Sequence, residues 1–219
     1  MKRLIFTYVF LIPFLTLFSQ IKVACVGNSI TYGATIENRE QNSYPAQLGK
    51  MLGPEWIVNN YGVSGTTLLK NGDRPYWKQK AFDNAKEFTP DVVIIMLGTN
   101  DTKPRNWGFK DEYVSDYIAM INEFKSLPSK PIIFLCLPVP AFPERWGIRD
   151  SIITTDIIPM IKKVVKATKV KTIDLHKPFI DHGDWFPDKI HPNAEGAGEM
   201  ARIIEKKLLK FRKKILQRK

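Results

Sequence analysis

The sequence is poor in the residues that carry metal and redox chemistry, with two cysteines and three histidines in 219 residues. His176, His182 and His191 form no His-x-x-x-His pair, and Cys25 and Cys136 form no Cys-x-x-Cys pair. The ligand spacings of zinc hydrolases are therefore missing, and neither a metal nor another cofactor is expected. Both cysteines sit inside apolar runs that read as buried strands, so buried free thiols are expected; a disulfide would need those strands within bonding distance. No internal repeat, low-complexity tract or Gly/Ser-rich linker interrupts the chain, which makes one domain the default. Nor is there an apolar run of the roughly 20 residues that a spanning helix needs. The nearest, "MKRLIFTYVFLIPFLTLFSQ" at residues 1–20, holds only about fifteen apolar residues and is broken by Pro13. Lys2 and Arg3, the apolar stretch and Ser19-Gln20 have the layout of a secretory signal peptide. The expectation is an exported protein, periplasmic or extracellular, with its domain over residues 21–219 and no stable membrane insertion after cleavage. A retained N-terminal anchor is the alternative.

The net charge is +11, a value that suggests nucleic acid until its distribution is read. Residues 202 to 219 carry nine Lys/Arg against one Glu, and Lys2 and Arg3 add to the excess, so the stretch between is nearly neutral. Ile204, Leu208, Phe211 and Ile215 recur at helical spacing within that basic strip. It reads as a C-terminal helix with an apolar stripe and a solvated basic face, with a membrane-surface or polyanion contact as the lesser alternative. Nucleic acid is not expected as a partner.

What the chain does have is a repeating rhythm. "IKVACVG", "WIVNNYG", "PDVVIIMLG", "KPIIFLCLPVP" and "VKTIDL" read as strands, the third with the unbroken apolar character of one buried on both faces. Helices are expected between them: from Ser43-Tyr44-Pro45 through Leu52, near residues 77 to 87, over "DEYVSDYIAMINEFKSL", and over "DSIITTDIIPMIKKVVKAT" with a bend at Pro159. Such alternation predicts parallel β-α units in a three-layer α/β/α sandwich. Ligands of such sheets bind outside the carboxyl ends of the strands.

Those ends carry chemistry. The first strand breaks into Gly27-Asn28-Ser29, and the second runs into "NYGVSGTT", where Gly62 and Gly65 permit tight turns and expose backbone N–H groups. The third ends in Gly98-Thr99-Asn100-Asp101. After the fifth comes "FPDKIHPNAEG", with Asp188 three residues before His191. A serine hydroxyl needs a base to become a nucleophile, and an imidazole oriented by a carboxylate supplies one. The N–H groups of Ser29 and Gly65 and the amide of Asn100 would serve as donors to an oxyanion. Each residue alone is explained by a turn or a cap. Their conjunction, in order along the strand ends, is not.

At these four motifs, "GNSIT", "GVSGTT", "LGTND" and "DKIHPNAEG", the chain resembles the SGNH, or GDSL-type, esterases and lipases. The resemblance spans about residues 21 to 207 and implies a flavodoxin-like SGNH hydrolase fold with a five-stranded parallel sheet. It also implies Ser29 as nucleophile, Asp188 and His191 as acid and base, and Ser29, Gly65 and Asn100 as oxyanion donors. The family usually has Asp where this chain has Asn28, which keeps the size and drops the charge. "GNSIT" with "SYPAQL", "TNDTKP" and "LPVPAF" is similar to the exported sialate O-acetylesterase-like carbohydrate esterases, implying O-acetyl groups on sialic acid or hemicellulose sugars as substrate.

Independent of that resemblance, Trp77, Trp107, Trp146 and Trp185 follow different strand ends, and aromatic faces suit pyranose rings. Arg74, Arg105, Arg145 and Arg149 share those loops and are candidates for a substrate carboxylate. The loops "KNGDRPYWKQK" and "DTKPRNWGFKDE" are polar, favouring a short acyl group on a small-molecule or oligosaccharide ester over a fatty acyl chain. A thioesterase or lysophospholipase of the same fold and a non-catalytic carbohydrate-binding domain are the alternatives.

Overall fold

A computed structural model describes residues 20–143 and 145–218; the expected signal peptide thus lies, but for Gln20, outside the described residues. The five apolar runs form five strands: β1 (Ile21–Gly27), β2 (Trp56–Gly62), β3 (Val92–Met96), β4 (Ile132–Leu137) and β5 (Lys171–Asp174). Between β1 and β2 run α1 (Ser29–Tyr32), α2 (Arg39–Asn42) and α3 (Tyr44–Leu52), then α4 (Lys80–Glu87) before β3. α5 (Pro104–Trp107) and α6 (Tyr113–Lys125) lead to β4, and α7 (Asp150–Ile152) and α8 (Ile158–Thr168) lead to β5. The last helix is α9 (Ala194–Leu216).

All strands pair in parallel, in the order β2-β1-β3-β4-β5. Alternate residues of the central strands feed two cores. Ala24, Val26, Val93, Ile95 and Leu135 face one, filled by Phe82 of α4, Tyr117 and Met120 of α6 and Ile161 of α8. Val23, Cys25, Ile94, Met96, Phe134 and Cys136 face the other, filled by Leu48 of α3 and by Met200, Ile204 and Leu208 of α9. Because both faces are covered, the central strands lack a polar alternate position, which is why β3 reads as an unbroken apolar run. The basic strip folds as expected, with Ile204, Leu208 and Ile215 buried and Phe211 against Phe134. Among the described residues no helix is long and apolar enough to cross a membrane.

The order explains the cysteines. Cys25 on β1 and Cys136 on β4 face the same core but are separated by β3, roughly 10 Å at the usual strand spacing, beyond disulfide reach. Both are free thiols, and burial pushes Cys25 up to about 12 and Cys136 higher still. At Pro159 the structure departs from the expected bend. The irregularity lies ahead of it, as a π-turn over Ile153–Ile157 in which the Ile158 N–H reaches back to the Ile153 carbonyl. This wider turn accommodates a residue that has no N–H to give.

The order also fixes where a site can form. It reverses between β1 and β3, and the crevice at such a switch point lies beyond their carboxyl ends. Two glycines let α1 sit there. A Cβ on Gly27 would stand 2.1 Å from Thr31 Oγ1, and one on Gly62 would stand 2.2 Å from the Tyr32 nitrogen. No side chain fits at either position without pushing α1, and Ser29 with it, away from the strand ends.

Candidate active site

Ser29 is the first residue of α1, and Asn28 caps that helix by accepting from the Ile30 N–H at 3.0 Å. The exchange of Asp for Asn keeps this cap through Oδ1. It also leaves Nδ2 of the fully buried Asn28 without a partner among the described residues. The carboxylate usual in the family would place a charge at that spot; here the ground beneath the serine is neutral.

Asp188, Lys189, Ile190 and His191 form a tight turn before α9. Asp188 Oδ1 accepts the N–H groups of Ile190 at 3.0 Å and His191 at 2.7 Å, and Oδ2 accepts from His191 Nδ1 at 2.6 Å. Burial pushes the Asp188 carboxyl up, but those three donors together hold it below the ordinary range. With Nδ1 donating to the carboxylate, Nε2 is the acceptor and takes the hydroxyl hydrogen of Ser29, at 2.8 Å. The three-residue spacing is what lets one carboxylate bind both the backbone and the ring of the histidine. Lys189 holds a left-handed φ of 75° inside this turn, an uncommon conformation for a side-chain-bearing residue. It is stabilised by its carbonyl accepting from the Phe142 N–H at 2.8 Å and by the buried Ile190 beside it.

Across the cleft stand the other two expected donors. Gly65 has φ 79°, the left-handed region, and a Cβ there would meet nothing closer than 3.7 Å. Its requirement for glycine is therefore conformational rather than steric. Asn100 sits in the short turn after β3 and donates one amide hydrogen to the Thr66 carbonyl at 3.0 Å, leaving the second for a ligand. Asp101, wholly buried, accepts from the N–H groups of Leu68 at 3.1 Å and Leu69 at 2.8 Å. Burial raises its carboxyl to about 6 against the pull of these donors. Asn106 of α5 adds a bond to the Asp73 N–H at 2.8 Å and one to the Asn100 carbonyl at 2.9 Å. The loop bearing Gly65 and the turn bearing Asn100 are thereby one hydrogen-bonded unit.

Ser29, Gly65, Asn100 and His191 line one cleft of about 220 Å³, with Ala34, Ser64, Lys103, Trp146 and Ile148 around them. Of the four expected tryptophans it brings only Trp146 to the cleft. Trp77 donates to the Leu68 carbonyl at 2.8 Å and packs on Phe82, Trp107 packs on Tyr113, and Trp185 stacks on His182 at 3.8 Å. These three are half-buried supports of their loops, where a large ring secures more apolar contact than a cleft edge offers. Among the arginines, Arg74 flanks Gly65, Arg105 is exposed on α5 outside the cleft lining, and Arg149 binds the Thr102 carbonyl. Arg145 lies over the Trp146 ring at 4.6 Å and donates to the Asp188 carbonyl at 3.2 Å. Asp101 and Lys103 were not singled out by sequence. The signal for Asp101 was a charged residue directly after an apolar strand and Asn100, where a solvated loop would have sufficed.

The GDSL-like lipase/acylhydrolase family model matches residues 25–198. The chain is 43% identical over 202 residues to an acetylxylan esterase of Xylanibacter ruminicola, spanning 84% of this chain and 42% of that one. It is 25% identical over 214 residues to a multidomain esterase of Ruminococcus flavefaciens, spanning 83% and 28%. The chain thus covers less than half the length of either relative. In fold it is similar to the aryl esterase of M. smegmatis, with TM-score 0.72 and 18% identity over 87% of this chain and 99% of that one. A carbohydrate acetylesterase from Sinorhizobium meliloti superposes with TM-score 0.65 and 19% identity over 88% and 100%.

Proposed function

The chain belongs to the GDSL-like lipase/acylhydrolase family, and from that premise we propose that it is a serine esterase removing O-acetyl groups from carbohydrates. The single observation that carries this reading is the continuous relay from Asp188 through His191 to Ser29, with contacts of 2.6 and 2.8 Å, facing a cleft shared with Gly65 and Asn100. His191 takes the hydroxyl proton as Ser29 Oγ attacks the ester carbonyl, and Asp188 stabilises the imidazolium. The N–H groups of Ser29 and Gly65 and the free amide hydrogen of Asn100 receive the oxyanion. On collapse the C–O bond to the sugar breaks, His191 returns the proton to the departing alcohol, and Ser29 is left acetylated. Water, deprotonated by His191, then releases acetate and restores the serine.

A small acyl group fits a cleft of about 220 Å³ better than a fatty chain. For the alcohol side, Trp146 is the candidate platform. It is 54% exposed, holds φ 54° and lies 5.8 Å from the His191 ring. Such a conformation is unfavourable for a bulky residue and is found where surrounding structure enforces it. Here Trp146 and Gly147 form the two central positions of a tight turn closed by the Ile148 N–H to the Arg145 carbonyl at 2.9 Å. The acetylxylan esterase relative supports a xylan-type sugar over sialic acid.

Acetate release from acetylated xylan, O-acetylated sialic acid and p-nitrophenyl acetate, beside a folded Ser29→Ala variant, tests the reading. The expected outcome is a loss of about a thousandfold or more in kcat for the variant, with xylan preferred. Undiminished release by Ser29→Ala, or none by the parent on any acetyl ester, overturns it.

A further inference from the structure

The end of the sheet opposite the cleft carries a second concave surface. Two adjoining hollows, of about 230 and 510 Å³, open where β4 and β5 begin and share Lys125, Pro131 and Arg218 in their walls. Lys130 adds to one, and Lys169, Lys171 and Lys214 add to the other. Among the described residues no carboxylate lines either hollow and none of these cations forms an ion pair. The protein elsewhere pairs cations with acids, as in the exposed Arg212 with Glu55 and the half-buried Lys86 with Glu123. An uncompensated group of like charges in one concavity is unfavourable by itself and attracts an anion.

The backbone adds a second observation. Lys169, which caps α8, has φ 59°, and Lys130, at the entry to β4, has φ 42°. Glycine or asparagine is the usual choice for such left-handed positions, since a side chain there is strained. Two of the cations therefore stand where local stability would prefer another residue. Lys125 and Arg218 are held in place by donating to the carbonyls of Thr168 at 2.6 Å and Lys130 at 3.3 Å. Lys171 lies over the Phe211 ring at 5.6 Å, a contact that leaves its charge uncompensated, and with Lys169 and Lys214 it remains to meet a ligand.

We propose that this groove binds the sugar acids of an anionic polysaccharide, at a site separate from the catalytic cleft. The buried Pro131 and Val170 form the floor of the hollows beneath the cations, and a uronate offers those cations a carboxylate on a ring small enough to enter a concavity. A bilayer is flat and would leave the concavity empty. Single-stranded nucleic acid would call for aromatic stacking platforms, and among the described residues none lines the groove. The site does not depend on the esterase reading, because no residue of the cleft takes part.

Binding of the whole chain to a polygalacturonate oligomer, measured by titration calorimetry at low and moderate salt, tests it against Lys169→Gln/Lys171→Gln/Lys214→Gln, with melting temperature as the check on folding. The parent is expected to bind with strong salt dependence and the triple variant about tenfold more weakly with a shallower salt slope; a neutral xylan oligomer of equal length should not compete. Three results overturn the proposal: no binding by the parent at low salt, equal binding by the folded triple variant, or tighter and lysine-dependent binding to phosphatidylglycerol vesicles. The last would assign the groove to a membrane instead.

Discussion

The loops after β2 and β4 lean over the same cleft and are held by opposite means. Residues 63–76 are pinned from within: Asn100 grips Thr66, Asp101 grips Leu68 and Leu69, and Asn106 grips Asp73, all from buried side chains. The Arg145–Ile148 turn has one end in the core through the buried Ile148, but its tip is pinned at the surface, by Arg145 on the Asp188 carbonyl and by Trp146 against His191. The difference matches what each would meet. A developing oxyanion changes charge over a fraction of an ångström, so its donors must be fixed before reaction. A sugar leaving group, as the proposed function has it, would present a broad apolar face, and an exposed ring can meet such a face without that precision.

The sharpest way to break this contrast is Asn100→Ala. It removes a donor and one of the bonds that join the Gly65 loop to the turn after β3, and kcat is expected to fall about a hundredfold or more with KM little changed. A loss confined to KM, measured on p-nitrophenyl acetate, would show that the amide binds substrate rather than the oxyanion.

Asp101→Asn probes the buried pinning and carries a sign in pH. Because burial raises this carboxyl to about 6 in the folded state, the fold holds its proton more tightly than the unfolded chain does. Stability then falls as pH climbs from about 4 to about 6, by about 3 kcal/mol at most. The variant cannot titrate there, so its denaturation midpoint should stay flatter across that window while starting lower, one acceptor for a backbone N–H having been lost. Asp188 has the opposite sign: held below the ordinary range, it adds stability above its unfolded value that is lost as pH falls through its lowered folded one. Urea melts of parent and variant between pH 3 and 7 separate the two; parallel curves for both proteins would remove Asp101 from the account.

Trp146→Ala sharpens the other side and has the smallest expected effect. On acetylated xylan oligomers kcat/KM should drop about tenfold, and on ethyl acetate, which has no ring, by a smaller factor. Equal losses on both would mean that the ring acts by holding His191 and not by receiving the sugar.

Much of the architecture was legible because its causes are local. Strands buried on both faces must be apolar throughout, so β3 and β4 announced themselves. Asp188 and His191 lie within one turn, so their pairing followed from spacing, and the glycines at strand ends marked where the chain turns. The tryptophans were not legible in the same way. Trp77 and Trp146 follow strand ends alike, yet the first packs its half-buried ring on Phe82 while the second is exposed beside His191.

By itself, then, the sequence determined the β-α alternation, the two cores and the four strand ends that carry Ser29, Gly65, Asn100 and His191, because periodicity and turn chemistry act over a few residues. Only the tertiary structure decided that β3 separates Cys25 from Cys136, that Asp101 fastens the Gly65 loop, that one tryptophan in four reaches the cleft, and that lysines from α6, the cap of α8, β5 and α9 gather around one groove. These are contacts between segments distant in the chain, and the order in which strands lie side by side sets them.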